Sequence, residues 1–185
     1  MLFRSVIPFS GQKVSVCARV KGIECISGDI VFCIDGDSYA QKNWISEMKS
    51  LIDKDVVLVG SWVKFSGGFY NSISNYFNKL SCTKSDNATR WLWGSSFGFL
   101  GKDKNKIKDA LWRSIEISEK SKATRNPDDY ILALFMKRYG SIKITNKTHV
   151  LTNVKEKGFI DEVKRNIENL KNGKRIENFL RNVLR

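Results

Sequence analysis

The sequence predicts an α/β fold in which helices flank a mainly parallel sheet, and two apolar runs with a helix between them carry this prediction. Residues 28–35 contain five consecutive apolar residues, mostly β-branched or aromatic. A continuous run of this length is typical of a strand buried on both faces. Residues 41–52 then have apolar side chains at helical spacing, and residues 55–60 form a second buried run. Strand, helix and strand in this order predict a βαβ unit.

The remainder of the chain continues this alternation. Glycines interrupt residues 91–100, which predicts a strand or an extended loop. Asn126 and Pro127 suit the cap and first position of a helix that is expected to stop at Gly140. The other predicted elements are helices over 69–80 and 104–119, short strands over 141–145 and 148–152, and a helical segment from 158 onward that breaks near residues 172–173.

The chain divides by composition into two parts. Residues 1–154 predict one compact domain, because 42% of the whole chain is hydrophobic and a core can form. Residues 155–185 predict a basic amphipathic helical tail, with apolar residues at helical spacing. Two interpretations of this tail stay open at this point. It packs on the domain or on another copy, or it binds a membrane surface.

The charge and the residue types restrict the class of protein. A formal net charge of +13 favours anionic partners, namely nucleic acid, acidic lipid headgroups or phosphorylated small molecules, although lysines also serve solubility. No zinc-finger, RNP-type or P-loop motif accompanies the charge, so no nucleic acid is expected. The sequence lacks a bilayer-spanning apolar run and a secretion signal, which predicts a cytoplasmic protein that is at most peripheral to the membrane.

Two acidic pairs are candidates for chemistry. Asp35 and Asp37 follow the first buried run on a short loop, where paired carboxylates suit a hard divalent cation such as Mg²⁺ or Mn²⁺. The alternative is a surface turn. Asp128 and Asp129 open the helix that begins after Pro127. There a carboxylate can serve as a general base, but local sequence alone favours a simple complement to the helix dipole.

These pieces together resemble family 2 glycosyltransferases. The resemblance rests on Ala-Arg-Val-Lys-Gly-Ile at 18–23, on residues 28–38 ending in the Asp-x-Asp motif, on Trp-Gly-Ser-Ser at 93–96 and on Pro-Asp-Asp-Tyr at 127–130. It implies a GT-A fold, a nucleotide-sugar donor, a divalent cation (Mn²⁺ or Mg²⁺) and usually inversion at the anomeric carbon. The acceptor would be a glycan, a lipid-linked molecule or a protein.

The resemblance also implies a role for individual residues. Asp129 matches the catalytic base of the family, with Asp128 in place of the usual Glu. The matching donor-binding residues are Arg19, Asp35 and Asp37, the metal ligands Asp35 and Asp37, and the acceptor-side residues Trp93, Gly94 and Asp128.

Two departures from the family pattern leave alternatives open. About 50 residues that would build the nucleotide-base pocket in a first βαβ unit are expected to be missing. A non-catalytic remnant of the fold is therefore the first competing hypothesis. The second is a basic nucleic-acid-binding protein, which the net charge would suit but against which the buried strand ending in paired aspartates argues. The lone histidine, His149, matches a late metal ligand of some relatives, but a plain strand residue is the favoured interpretation.

Overall fold

The computed structural model describes residues 14–83, 92–123, 128–153 and 159–183. Strands and helices alternate along much of this part of the chain. The strands are β1 (Ile30–Ile34), β2 (Ser38–Ala40), β3 (Val56–Phe65), β4 (Ser96–Leu100) and β5 (Ser141–Thr152). The helices are α1 (Val14–Glu24), α2 (Trp44–Ser50), α3 (Phe69–Thr83), α4 (Lys104–Lys120), α5 (Asp128–Met136) and α6 (Phe159–Val183). The predicted α/β class is confirmed.

The five described strands form one sheet in the order β1-β4-β3-β5-β2. Only β3 and β5 pair in parallel; β1 with β4, β4 with β3 and β2 with β5 are antiparallel. The predicted mainly parallel sheet is therefore wrong. The strands β1 and β3 do run in the same direction, but β4 lies between them. A continuous apolar run indicates that a strand is buried on both faces, but it does not indicate the direction of the neighbouring strand.

Helices cover the sheet through separate clusters of buried side chains. Consecutive residues Leu58 and Val59 of β3 belong to different clusters, as expected for a strand covered on both faces. Leu58 packs with α1 and α4, while Val59 packs with Trp44 of α2. The indole Nε1 of Trp44 also donates to the hydroxyls of Ser61 and Ser96, each at 3.0 Å, and so holds α2 against two neighbouring strands.

Two predicted short strands are one long strand. β5 runs without interruption from Ser141 to Thr152, but its register on β3 shifts, because Ser61 pairs with Thr145 while the next residue, Trp62, pairs with His149. The extra residues of β5 form an irregularity in the ladder. Such an insertion resembles a loop in sequence while pairing continues on both sides of it.

The end of α5 also differs from the prediction. Asn126 and Pro127 lie outside the described residues, and the helix ends at Met136, four residues before Gly140. A Cβ on Gly140 would lie 2.4 Å from the carbonyl oxygen of Asp55. This glycine is therefore required for a close approach to the start of β3, not for the helix end.

The C-terminal helix is continuous where a break was predicted. α6 passes through Asn172 and Gly173, and Asn172 is buried. One turn later Ile176 is fully buried in a cluster with Ile117 of α4 and Ile131 of α5. A glycine inside a helix costs about 1 kcal/mol, which the burial of Ile176 offsets. This helix packs on the domain, whereas the division at residue 154 stays a prediction.

Candidate active site

The loop with the two aspartates lies at the carboxyl end of β1. The carbonyl oxygen of Asp35 accepts from the amide of Ser38 at 3.1 Å, which closes a tight turn between β1 and β2. The hydroxyls of Ser38 and Thr152 are 2.8 Å apart and join this turn to the end of β5. Asp37 is exposed, and its Oδ1 accepts from the hydroxyl of Ser38 at 3.3 Å. The structure thus places both aspartates on a short loop directly after β1.

Arg19 joins three distant parts of the chain. It projects from α1, and its Nη1 donates to Oδ2 of Asp128 while Nη2 donates to Oδ1 of Asp35 at 3.2 Å. The guanidinium also lies 5.9 Å from the ring centre of Phe97. Burial lowers the pKa of Arg19, but the charges of Asp128 and Asp35 outweigh this effect and raise it. The residue therefore remains cationic and holds α5 against the loop after β1.

Asp129 lies beside this ion pair and is held by backbone amides. Its Oδ2 accepts from the amide of Gly94 at 3.2 Å, and its Oδ1 accepts from the amide of Tyr130 at 2.8 Å. Burial, followed by the negative charge of Asp128, raises the pKa of Asp129 to about 6. The pKa of Asp128 is raised as well, mainly by burial, although Arg19 opposes this. A carboxyl group with a pKa near 6 is ionised at pH 7 and can still accept a proton efficiently.

The backbone at Gly94 fits closely between the charged side chains. A Cβ at this position would lie 3.2 Å from Nη2 of Arg19 and 3.4 Å from Cβ of Asp129. A side chain here would therefore crowd the guanidinium of Arg19, whereas it would meet Asp129 at an ordinary van der Waals distance. The preceding Trp93 is partly buried, and its ring centre lies 6.0 Å from that of Phe65 at the end of β3.

The structure brings together most of the residues that the sequence singled out. Arg19, Asp35, Gly94, Asp128 and Asp129 form one connected group, with Asp37 and Trp93 at its margin. The pairing of Arg19 with Asp128 was missed, since Arg19 was assigned to the donor and Asp128 to the acceptor. These two residues are 109 positions apart, and no local pattern predicts such a contact. The assigned roles stay predictions.

The side chains at the site can supply only part of a metal coordination shell. Across the described residues, His, Cys, Asp and Glu form no group of three or more that could hold an ion. Asp35 and Asp37 suit a cation that takes its remaining oxygen ligands from a substrate and water. His149 stacks on Trp62 with ring centres 4.8 Å apart, and burial together with Lys64 and Lys79 lowers its pKa.

Comparison with known families identifies the chain. The family described as glycosyl transferase family 2 matches residues 6–109, which is more than half of the sequence. The chain belongs to glycosyl transferase family 2. In this family 2 protein the match includes Arg19, Asp35, Asp37 and Gly94 but ends before α5. The assignment of Asp129 as the base is therefore based on the geometry and on the resemblance of residues 127–130 to the family motif. No curated relative matches the sequence.

Where the family 2 chain is described, its helices are too short or too polar to cross a bilayer.

Proposed function

We propose that this family 2 protein transfers a sugar from a nucleoside diphosphate to an acceptor hydroxyl, with inversion at the anomeric carbon. The observation that carries the proposal is the partly buried carboxylate of Asp129, which has a raised pKa and lies beside the Arg19–Asp128 pair, near the loop of Asp35 and Asp37. A base and a potential cation site next to each other are what such a displacement requires.

The chemistry assigned to the chain is a single displacement. Asp129 accepts the proton of the acceptor hydroxyl, whose oxygen forms the new bond to the anomeric carbon. The bond from that carbon to the diphosphate oxygen breaks, and the nucleoside diphosphate leaves with the electron pair. A Mn²⁺ or Mg²⁺ ion bound by Asp35 and Asp37 would neutralise charge on that leaving group. The positive charge of Arg19 beside Asp35 would assist in binding the donor.

The acceptor is assigned to the side of the site formed by Trp93, Gly94 and Asp128. The amide of Gly94 donates to Oδ2 of Asp129, so an acceptor bound on this side would lie next to the carboxylate. Glycans, lipid-linked molecules and proteins all carry suitable hydroxyls. We place the protein in the cytoplasm, peripheral to the membrane, and this location rests on the sequence expectations given above.

Loss of the exposed carboxylate at Asp37 should remove metal-dependent binding of nucleotide and leave the fold intact. Asp37 is exposed on a turn, so Asp37→Ala removes little packing. Calorimetry with Mn²⁺ and a panel of nucleoside diphosphates is expected to detect binding to the parent and none to the variant. Asp53→Ala, which alters another exposed aspartate, is the control and should bind as the parent does. Equal binding by Asp37→Ala and the parent would reject Asp37 as a ligand, and no binding by the parent would favour a non-catalytic remnant.

The pH dependence of turnover should report the carboxyl group of Asp129. The base must be ionised, and its pKa is raised to about 6, so turnover is expected to fall as the pH drops below 6. Carbon NMR of the aspartate carboxyl groups checks the same pKa without a substrate. A carboxyl resonance that titrates near 6 and disappears in Asp129→Asn is the expected result. If the resonance assigned to Asp129 titrated near 4, the raised pKa would be wrong.

A further inference from the structure

Helix α3 exposes a stripe of large apolar side chains. Phe69, Ile73, Tyr76, Phe77 and Leu80 are 74%, 42%, 64%, 63% and 38% exposed. Their spacing of four, three, one and three residues places them on one face of the helix. We call these five residues the α3 stripe. Tyr76 and Phe77 also contact each other, with ring centres 5.9 Å apart.

The opposite, polar face of α3 forms hydrogen bonds with the backbone at the end of β3. Asn75 accepts from the amide of Phe65 at 2.7 Å and donates to its carbonyl oxygen at 2.9 Å. Asn78 donates to the carbonyl of Val63 at 3.2 Å, and Asn71 donates to that of Ser66 at 2.7 Å. These asparagines satisfy backbone groups on a stretch of β3 that lies beyond its pairing with β4.

This arrangement reverses the usual orientation of an amphipathic helix. A helix on a globular protein ordinarily buries its apolar face and exposes its polar face. In α3 four hydrogen bonds through asparagines hold the polar face inward, so the apolar stripe is fixed toward the outside. Five large apolar side chains exposed on one face of a helix indicate an interaction site.

The charge around the α3 stripe selects the kind of partner. Residues 56–85 contain no Asp or Glu, and the exposed Lys79 lies on α3 one turn after Tyr76, so the charge along this segment is positive. With a net charge of +13, a second copy of the chain would be repelled, whereas an anionic surface would be attracted. Aromatic and aliphatic side chains next to lysines are typical of helices that lie in the membrane interface.

We propose that the α3 stripe binds the interface of a membrane that contains anionic lipids, with Lys79, which follows Tyr76 by one turn of α3, near the headgroups. The stripe begins four residues after Phe65, whose ring contacts Trp93. Binding would therefore hold the candidate active site next to the membrane surface. The peripheral location is already part of the proposed function, and the α3 stripe is the surface assigned to it; the position of the active site next to the membrane rests on the proposed function as well.

Flotation with vesicles tests the proposal without any measurement of turnover. The parent should bind vesicles of phosphatidylcholine mixed with phosphatidylglycerol, and binding should weaken at high salt and with phosphatidylcholine alone. Tyr76→Ser/Phe77→Ser should lower the partition coefficient at least about tenfold, because two large apolar side chains are removed. Ile45→Ser/Trp112→Ser is the matched control, since it removes two exposed apolar side chains elsewhere, and it should bind as the parent does.

Further measurements exclude unfolding of the variant, binding through α6 and dimerisation as explanations. Circular dichroism should show that the α3 variant is folded, and Phe77→Ser alone replaces it if the double variant unfolds. Ile167→Ser/Leu170→Ser changes exposed apolar residues of α6, for which membrane binding was the alternative interpretation, and should bind the vesicles as the parent does. The proposal is overturned if the parent fails to bind the anionic vesicles, or if the α3 variant binds as well as the parent. Sedimentation showing a parent dimer that the α3 variant dissociates would also overturn it, because the stripe would then join two copies.

Discussion

Asp129→Asn is expected to lower turnover by about 10²–10⁴-fold, the usual effect of losing a general base, and at the same time to stabilise the protein at pH 8. The carboxyl group has a pKa of about 6 in the folded chain against a reference value of 3.8. The folded state therefore binds the proton more tightly than the unfolded state does. This contribution favours folding fully below pH 3.8, and it is lost as the pH rises through 6.

The size of the stabilisation follows from the shift in the pKa of Asp129. At pH 8 the ionised carboxylate costs up to roughly 3 kcal/mol. An uncharged amide removes this cost but accepts from only one of the two backbone amides that Asp129 serves, so the net gain is expected to be about 1–2 kcal/mol. Denaturant unfolding at pH 8 should show a more stable variant, and the difference should vanish near pH 4. If the carboxylates at the start of α5 only complement the helix dipole, the opposite is expected, namely a loss of a few tenths to about 1 kcal/mol.

The Asp128→Asn variant distinguishes the roles of the two aspartates in turnover. Asp128 contacts Arg19, whereas Asp129 contacts the amide of Gly94, so the two side chains point to different groups. The Asp128→Asn variant should retain more turnover than Asp129→Asn. Turnover by Asp129→Asn at the level of the parent would remove this residue from the mechanism, whatever its effect on stability.

Arg19→Met should destabilise the protein by about 3–5 kcal/mol at pH 8, because it leaves the largely buried carboxylate of Asp128 without its partner. Asp35 loses a contact in the same variant but is more exposed and can be solvated. Protonation of Asp128 relieves the unpaired charge, so the destabilisation should be smaller at pH 5. Denaturant unfolding at both values of pH measures the effect.

Two further variants test whether loss of the Arg19–Asp128 ion pair causes the destabilisation. Arg19→Met/Asp128→Asn removes both charges and should recover much of the lost stability, which a simple loss of packing at Arg19 would not predict. Arg113→Met breaks an exposed ion pair with Asp109 and should cost less than about 1 kcal/mol. Equal losses in the single and double variants would show that the ion pair does not control the stability of this region.

Local patterns in the sequence were sufficient for most of the elements. The buried run of β1, the helical spacing of α2 and the turn at Asp35 each depend on residues close together in the chain. Propensity, capping and hydrophobic period act over the same short range. The family could be recognised for the same reason, since its motifs are short segments that keep their order.

Only the tertiary structure decided which of these elements meet. The insertion of β4 between β1 and β3 and the contact of Gly140 with Asp55 join parts of the chain that have no local relation. The pKa of Asp129 depends on burial and on a neighbouring carboxylate, neither of which a helix-start pattern reports. The outward direction of the α3 stripe is likewise set by hydrogen bonds of asparagines to β3. Helical spacing shows that a helix has an apolar face, but contacts with the remainder of the fold determine whether that face is buried or exposed.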